Sequence, residues 1–264
     1  MAQDGRTSDG AAGSARALFI GLPAYNEEIA IGRLLEKIHT VAATLGCRVR
    51  VVVYDDGSVD RTADIARSWH DRLDIVVLGE AVNRGLGVGL RSLVEYTVTN
   101  GAQGDLLVVM DCDDTHDPEQ IPQMIGQSDE GNAVVIASRF QPGARIAGVS
   151  RKRKILTAGA AVLLRSIYPI DGVRDYTCGY RCYPVRLLQQ AWSEFGPALI
   201  RNTGFSCMVE LLLKLALYRP GFEEIPLCLR YDRKPTASKM VVSNHVGRLL
   251  ALLLVWRLRG IRNC

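Results

Sequence analysis

The 264-residue chain is 48% hydrophobic and 23% charged, and its 32 basic and 28 acidic side chains leave a formal net charge of +4. That is core material for one large domain or two small ones in an ordinary globular protein, and too weak a positive surplus to mark a nucleic-acid partner. Cysteines at 47, 112, 178, 182, 207, 228 and 264 never adopt the C-x2-C spacing of a structural zinc site, so they read as reduced thiols of a cytoplasmic protein.

Residues 1–16, MAQDGRTSDGAAGSAR, lack an apolar run and read as a disordered lead, not a signal peptide. After them strand and helix patterns alternate. ALFIGL (17–22) is a strand, followed by PAYNEE and a helix through Ile38; RVRVVVY (48–54) is the second strand, followed by DDGSVD and a helix near 60–70. DIVVLG (74–79) leads into a glycine-rich turn that opens the helix of NRGLGVGLRSLVEYT. DLLVVM (105–110) is the fourth strand, Pro118 suits the first turn of the helix after it, and AVVIAS (133–138) is the fifth. Short, continuous, β-branched runs of this kind belong to a mostly parallel sheet covered by helices on both faces, so the expected fold is α/β and Rossmann-like.

In such sheets ligands bind beyond the carboxyl ends of the strands. The sequence places Tyr25 and Glu27 after the first strand, Asp55 and Asp56 after the second, and Asp111 and Asp113 after the fourth. Carboxylates from three strand ends on one rim predict a cation-dependent site for a polyanionic or hydroxyl-rich ligand. The first strand does not close on G-x-G-x-x-G, the glycines at 85, 87 and 89 have the wrong spacing, and no phosphate loop exists, which argues against a dehydrogenase or a P-loop nucleotidase.

MDCDDTHDP carries the densest charge. Asp111 and Asp113 together suit a hard divalent ion, Mg2+ or Mn2+, completed by water and ligand phosphate. The alternative is an acidic turn in which Asp114 or Asp117 caps a helix. Asp117, before Pro118, reads as the cap; Asp111, at the end of a buried strand, reads as a metal or ligand group. No histidine stands out as catalytic: His39 and His70 suit helix surfaces, His245 lies outside the motifs, and His116 sits in the acidic turn. Near the C-terminus, the eight apolar residues Leu249–Trp256 fall far short of the ~20 a spanning helix needs. Arg248, Arg257, Arg259 and Arg262 flank them, as in a helix lying on a membrane surface or a docked terminal helix with a basic end.

LPAYNEE, VVYDDGSVDRT, NRGLGVGLRS, VVMDCDDTHDPEQIP and ASRF, in that order, resemble the GT-A glycosyltransferases of family 2. SRKRKILTAGAAVLLRSI, VRDYTCGYRCYPVRLL, GFSCMVELLLKL and DRKPTASKM narrow the likeness to dolichol-phosphate mannose synthases and related polyprenyl-phosphate glycosyltransferases. The resemblance covers residues 17–240 and implies a GT-A catalytic domain there; residues 241–264 read from their composition as a basic, apolar C-terminal helix, lying on the cytoplasmic membrane face or docked on the domain of a cytoplasmic protein. It assigns Pro23, Tyr25 and Glu27 to the nucleotide, Tyr54 and Asp56 to the base, and Asp111, Cys112, Asp113 and Thr115 to the sugar diphosphate. Asp111, Asp113 and Thr115 would also hold the metal. Arg139, Arg233 and Lys239 match phosphate-contacting positions, and Arg153 would face the acceptor phosphate. Cys112 stands where alanine is usual, Thr115 where Gln or Ser is, and TASK replaces the usual G-E-S-K.

The activity implied is inverting, metal-dependent transfer of a hexose from a nucleotide sugar to a polyprenyl phosphate, with mannose from GDP-mannose as the leading donor. The other readings are a UDP-sugar donor, a small natural-product acceptor, or an inactive sugar-nucleotide-binding subunit. A phosphate acceptor needs no base, whereas a hydroxyl acceptor would, with Asp175 as its candidate.

Overall fold

The structure is a computed structural model and describes residues 16–128, 132–233, 252–253, 255–258 and 260–263. Residues 1–15 of the expected lead, Lys239 and most of 241–264 lie outside the described residues. In chain order the strands are β1 (Ala17–Ala24), β2 (Arg48–Asp56), β3 (Asp74–Glu80), β4 (Leu106–Val109), β5 (Ala133–Ser138), β6 (Arg145–Ala147), β7 (Arg181–Pro184), β8 (Gly221–Pro226) and β9 (Cys228–Arg230). The helices are α1 (Glu28–Ala42), α2 (Thr62–Arg67), α3 (Leu86–Asn100), α4 (Ile121–Gln127), α5 (Arg151–Ile167), α6 (Val185–Phe195) and α7 (Cys207–Ala216).

Seven strands form one sheet in the order β3-β2-β1-β4-β7-β5-β8, and β6 pairs with β9 in a small parallel ribbon. The large sheet is mostly parallel, as the alternating pattern predicts; β7 alone runs antiparallel to its neighbours β4 and β5. All four residues of β4 are buried, so its strand needs no polar alternation. Gly21 in β1 lets α3 pack close: a Cβ there would lie 3.3 Å from the Leu93 side chain. Along α1, Ile31, Leu34, Leu35 and Ile38 recur at helical spacing and are fully buried. The helix α7 is buried on every side, including the ion pair of Glu210 with Lys214 at 2.6 Å.

Strands β1 and β2 run further than the sequence suggests, to Ala24 and Asp56, so Asp55 and Asp56 belong to a strand and not to a turn. Their register pairs Pro23 with Tyr54 and Ala24 with Asp55, while β4 ends beside Gly21. The carboxyl ends of β1, β2 and β4 therefore share one rim. Near the C-terminus, Leu253 and Trp256 are buried, and the Tyr168 hydroxyl donates to the Leu253 carbonyl at 3.2 Å. The described part of that segment thus packs on the protein.

Candidate active site

The turn after β4 disposes of its crowded charge residue by residue. Asp114 adopts a left-handed backbone, φ 60°, and its buried carboxylate meets Lys37 Nζ at 2.5 Å and Arg33 at 3.8 Å, both from α1. Asp117 accepts from the Glu119 N–H at 3.2 Å and caps the short turn at Pro118. Asp113, 7% exposed, accepts both the backbone N–H and the hydroxyl of Thr115, at 3.2 and 2.6 Å. Thr115 therefore orients Asp113. Asp111 is the exposed member: 44% of its side-chain surface remains open.

His116 organises this turn. Its ring is buried and stacked on Tyr180 with centroids 5.0 Å apart. The Asp111 N–H donates to His116 Nδ1 at 3.1 Å, which puts the proton of the neutral ring on Nε2, 3.8 Å from the Asp111 carboxylate. Tyr180 in turn donates its hydroxyl to the Asp117 carbonyl at 2.9 Å.

The loops after β1 and β2 are laced together. Ser58 Oγ accepts the Asn26 N–H, Asn26 Oδ1 accepts the Val59 N–H, and Thr62 Oγ1 accepts the Glu27 N–H, all within 2.9 Å. Cys112 reports how closely the strand ends converge. Burial first, and then the carboxylates of Glu27, Asp113, Asp111 and Asp55, push its thiol well above the ordinary range. Groups from three strands thus crowd one point, as the sequence predicts. Among the described residues no three His, Cys, Asp or Glu side chains form a metal-binding group.

Two expectations change at the second strand end. Asp56 is buried, and its oxygens accept the backbone N–H groups of Arg84 and Gly85 at 2.7 and 2.8 Å, so it anchors the loop entering α3. Tyr54 is 3% exposed, under Gly89 of α3. Pro23, Tyr25 and Glu27 remain half-buried at the rim.

Arg139, just past β5, is gripped by Asp175, a residue 36 positions later. Asp175 Oδ2 accepts the Arg139 backbone N–H and Nε at 3.0 and 2.7 Å, and Oδ1 accepts Nη2 at 2.5 Å. Burial opposes ionisation of Asp175, but the Arg139 guanidinium outweighs it and holds the carboxyl below its ordinary range. The expectation of Asp175 as a base is corrected: it is 0% exposed, ionised and fully engaged in positioning Arg139.

These groups open on a cavity of about 810 Å³. Its lining includes Asp111, Thr115, His116 and Arg139, the basic Arg153 and Lys154, and the apolar Leu156, Phe205, Leu229 and Val255. Arg153 lies over the Tyr231 ring, 4.7 Å from its centroid, and donates to its hydroxyl at 2.7 Å. Arg233 lies in the turn that follows Tyr231, outside this lining.

Sequence reasoning missed two supports. Glu224 accepts the Arg174 and Asp175 N–H groups at 2.6 and 2.7 Å, fixing the Arg139 partner from behind. Glu210 accepts the Arg201 and Asn202 N–H groups, and Lys214 donates to the Ala198 carbonyl, tying down a loop that walls the cavity. The second was signalled by a Glu and a Lys one turn apart in an otherwise apolar run, CMVELLLKLA.

Comparison with known proteins agrees. The profile described as Glycosyl transferase family 2 matches residues 19–195. The polyprenol monophosphomannose synthase of Mycolicibacterium smegmatis is 25% identical over 243 residues, 90% of this chain and 86% of that protein. The dolichol-phosphate mannosyltransferase of Pyrococcus furiosus is 29% identical over 195 residues, 73% of this chain but only 51% of that longer protein. Among solved structures, glucosyl-3-phosphoglycerate synthase from Mycobacterium tuberculosis, in complex with Mn2+, UDP and glucosyl-3-phosphoglycerate, shares the fold. Its TM-score is 0.62 at 20% identity, over 91% of this chain and 79% of that one. A parallel sheet rimmed by carboxylates, an arginine locked beside them and a match across two thirds of the sequence lead to one assignment: the chain belongs to glycosyltransferase family 2 and is a glycosyltransferase.

Proposed function

We propose that the enzyme transfers a hexose, mannose from GDP-mannose, to a polyprenyl phosphate with inversion at the anomeric carbon. The observation that carries the reading is the mixed lining of one cavity, which holds Asp111, Arg139, Arg153 and Lys154 together with apolar side chains such as Leu156, Phe205, Leu229 and Val255. An isoprenoid phosphate likewise combines an anionic group with an apolar chain. The names of the M. smegmatis and P. furiosus relatives point the same way.

The donor set fits a Mg2+ or Mn2+ ion that shares its coordination with a diphosphate. Asp111 offers an accessible hard oxygen, Asp113 lies beside it oriented by Thr115, and the remaining positions fall to ligand phosphate and water. When bound, such an ion neutralises charge on a departing nucleoside diphosphate. Arg139 serves the same end from the protein side, since Asp175 fixes its guanidinium in one orientation before any substrate arrives. Pro23, Tyr25 and Glu27 would hold the nucleotide, and Arg153 with Lys154 the acceptor phosphate. A phosphate monoester is anionic near neutral pH, so attack on the sugar requires no base, in keeping with the engagement of Asp175.

The test is transfer from GDP-mannose and, in parallel, UDP-glucose to a polyprenyl phosphate in detergent, with Mn2+, Mg2+ or chelator. GDP-mannose is expected to yield mannosyl lipid only with metal, and Asp111→Asn to lose both turnover and Mn2+-dependent thermal stabilisation by GDP. Preference for UDP-glucose would refute the donor; transfer to 3-phosphoglycerate but not to lipid would refute the acceptor.

A further inference from the structure

Asp114 stands apart from the acids around it. Asp113 and Thr115 bond to each other and Asp117 caps the next turn, but the Asp114 side chain turns away to a helix residue 77 positions earlier. Its carboxylate is 4% exposed and meets Lys37 Nζ at 2.5 Å, with Arg33 Nε at 3.8 Å. Ion pairs between exposed side chains contribute little, because water screens them; here the acid end is buried and keeps most of the attraction. Stripped of that partner, the carboxylate would be an uncompensated buried charge. Lys37 projects from the third turn of α1, a helix seated in the core by Ile31, Leu34, Leu35 and Ile38, all fully buried.

The backbone shows what this pair holds. At φ 60°, Asp114 lies in the left-handed region that an L side chain enters only with strain. The reversal there brings Thr115 back over Asp113, so that its N–H and hydroxyl both reach Asp113 Oδ1, at 3.2 and 2.6 Å. One residue further, His116 accepts the Asp111 N–H at 3.1 Å. Asp111, Asp113 and Thr115 are therefore arranged around one strained residue that α1 holds down. The same device recurs on the rim: Asn26, at φ 53°, is also left-handed, and its side chain accepts the Val59 N–H of the neighbouring loop at 2.9 Å.

We propose that Lys37 is a positioning residue for the sugar-diphosphate site: by clamping Asp114 to α1 it sustains the left-handed turn that sets Asp113 on Thr115. The proposal rests on the reading of Asp111 and Asp113 as groups that share a divalent ion with a diphosphate, and it adds to them a residue from a different element. A clamp and simple electrostatics differ in sign. Removing the Lys37 charge leaves the rim more negative and, on charge alone, should strengthen its hold on a divalent cation. Removing the Asp114 charge, on the same ground, should weaken it. A clamp predicts the same loss from both, since either substitution releases the turn.

The experiment compares the full chain with Lys37→Met, Asp114→Asn, the two together, and Lys37→Arg. Lys37 is partly exposed and asparagine suits a left-handed backbone, so all four variants should fold, which melting without metal records. In the metal-free protein, hydrogen exchange of residues 111–116 should quicken in both single variants and in the double, because the Asp111 and Thr115 amides lose their fixed acceptors. Lys37→Arg, which keeps the cation, should stay near wild type. Mn2+ is then titrated in the presence of GDP and, in parallel, UDP, and binding is read from the loss of the free-ion EPR signal. Both single variants should bind about tenfold more weakly, the double no worse than either, and Lys37→Arg close to wild type. A merely structural pair would lower the melting temperature and leave the Mn2+ affinity of the folded protein unchanged, which overturns the proposal. Opposite shifts in the two single variants, or unaltered exchange of residues 111–116, overturn it as well. Quickened exchange restored by Lys37→Arg, in a protein whose wild type binds no Mn2+ with either nucleotide, would uphold the clamp and sink the metal reading alone.

Discussion

Replacing Asp175 by asparagine asks whether that carboxylate is a base or the mount for Arg139. The substitution keeps the shape but removes the charge facing a guanidinium that is only 21% exposed. Breaking one side of a buried pair costs about 3–5 kcal/mol, and the residual exposure of Arg139 argues for the lower figure. At about 3 kcal/mol, a chain of this size should melt roughly 6–12 °C lower. If Arg139 steadies charge on the leaving diphosphate, losing its orientation should lower kcat by about 10²–10³-fold. The assays are thermal unfolding followed by steady-state transfer kinetics for Asp175→Asn, Arg139→Ala and the double variant. A positioning role predicts strong non-additivity, with the double variant about as impaired as the worse single one, and a pH–rate profile of unchanged shape. Additive losses, or an Asp175→Asn profile stripped of its acid limb, would mean that Asp175 exchanges protons with substrate and that this reasoning is wrong.

His116→Ala removes the acceptor of the Asp111 N–H, and an unsatisfied buried donor costs about 1–3 kcal/mol. Mn2+ affinity in the presence of GDP should weaken with it, and His116→Asn, whose amide oxygen can replace Nδ1, should recover much of both; equal defects in the two variants would contradict the assignment. The buried thiols supply a pH prediction. Burial first, then Asp175, pushes the Cys178 thiol up to about 12, and burial does the same for Cys182. A raised thiol pKa contributes stability that is complete below the unfolded value of 9.0 and is lost as pH rises towards about 12. Native protein at pH 8 should accordingly resist alkylation at Cys112, Cys178, Cys182 and Cys207, and its denaturation midpoint should fall steadily above pH 9; rapid labelling of Cys178 in the folded state would refute this.

The first five strands were legible because each is a short β-branched run whose own composition demands burial, and a parallel sheet follows from the helices between them. Asp117 as a cap and Asp111 at a strand exit are likewise local facts, decided within a few residues. The antiparallel insertion of β7 between β4 and β5 was not legible, since strand order depends on which edges meet, and RCYP alone carries no such instruction. Partnerships across long separations were equally hidden: Lys37 with Asp114, Arg139 with Asp175, Glu224 behind them both. Tyr54 and Asp56 show why spacing misleads. A strand longer by two residues and a helix start laid across it bury both side chains and give Asp56 the loop before α3 to anchor. The outward apolar residues of α5 belong to the same class, because periodicity marks a greasy stripe but only the packed fold decides which side of a helix the protein covers.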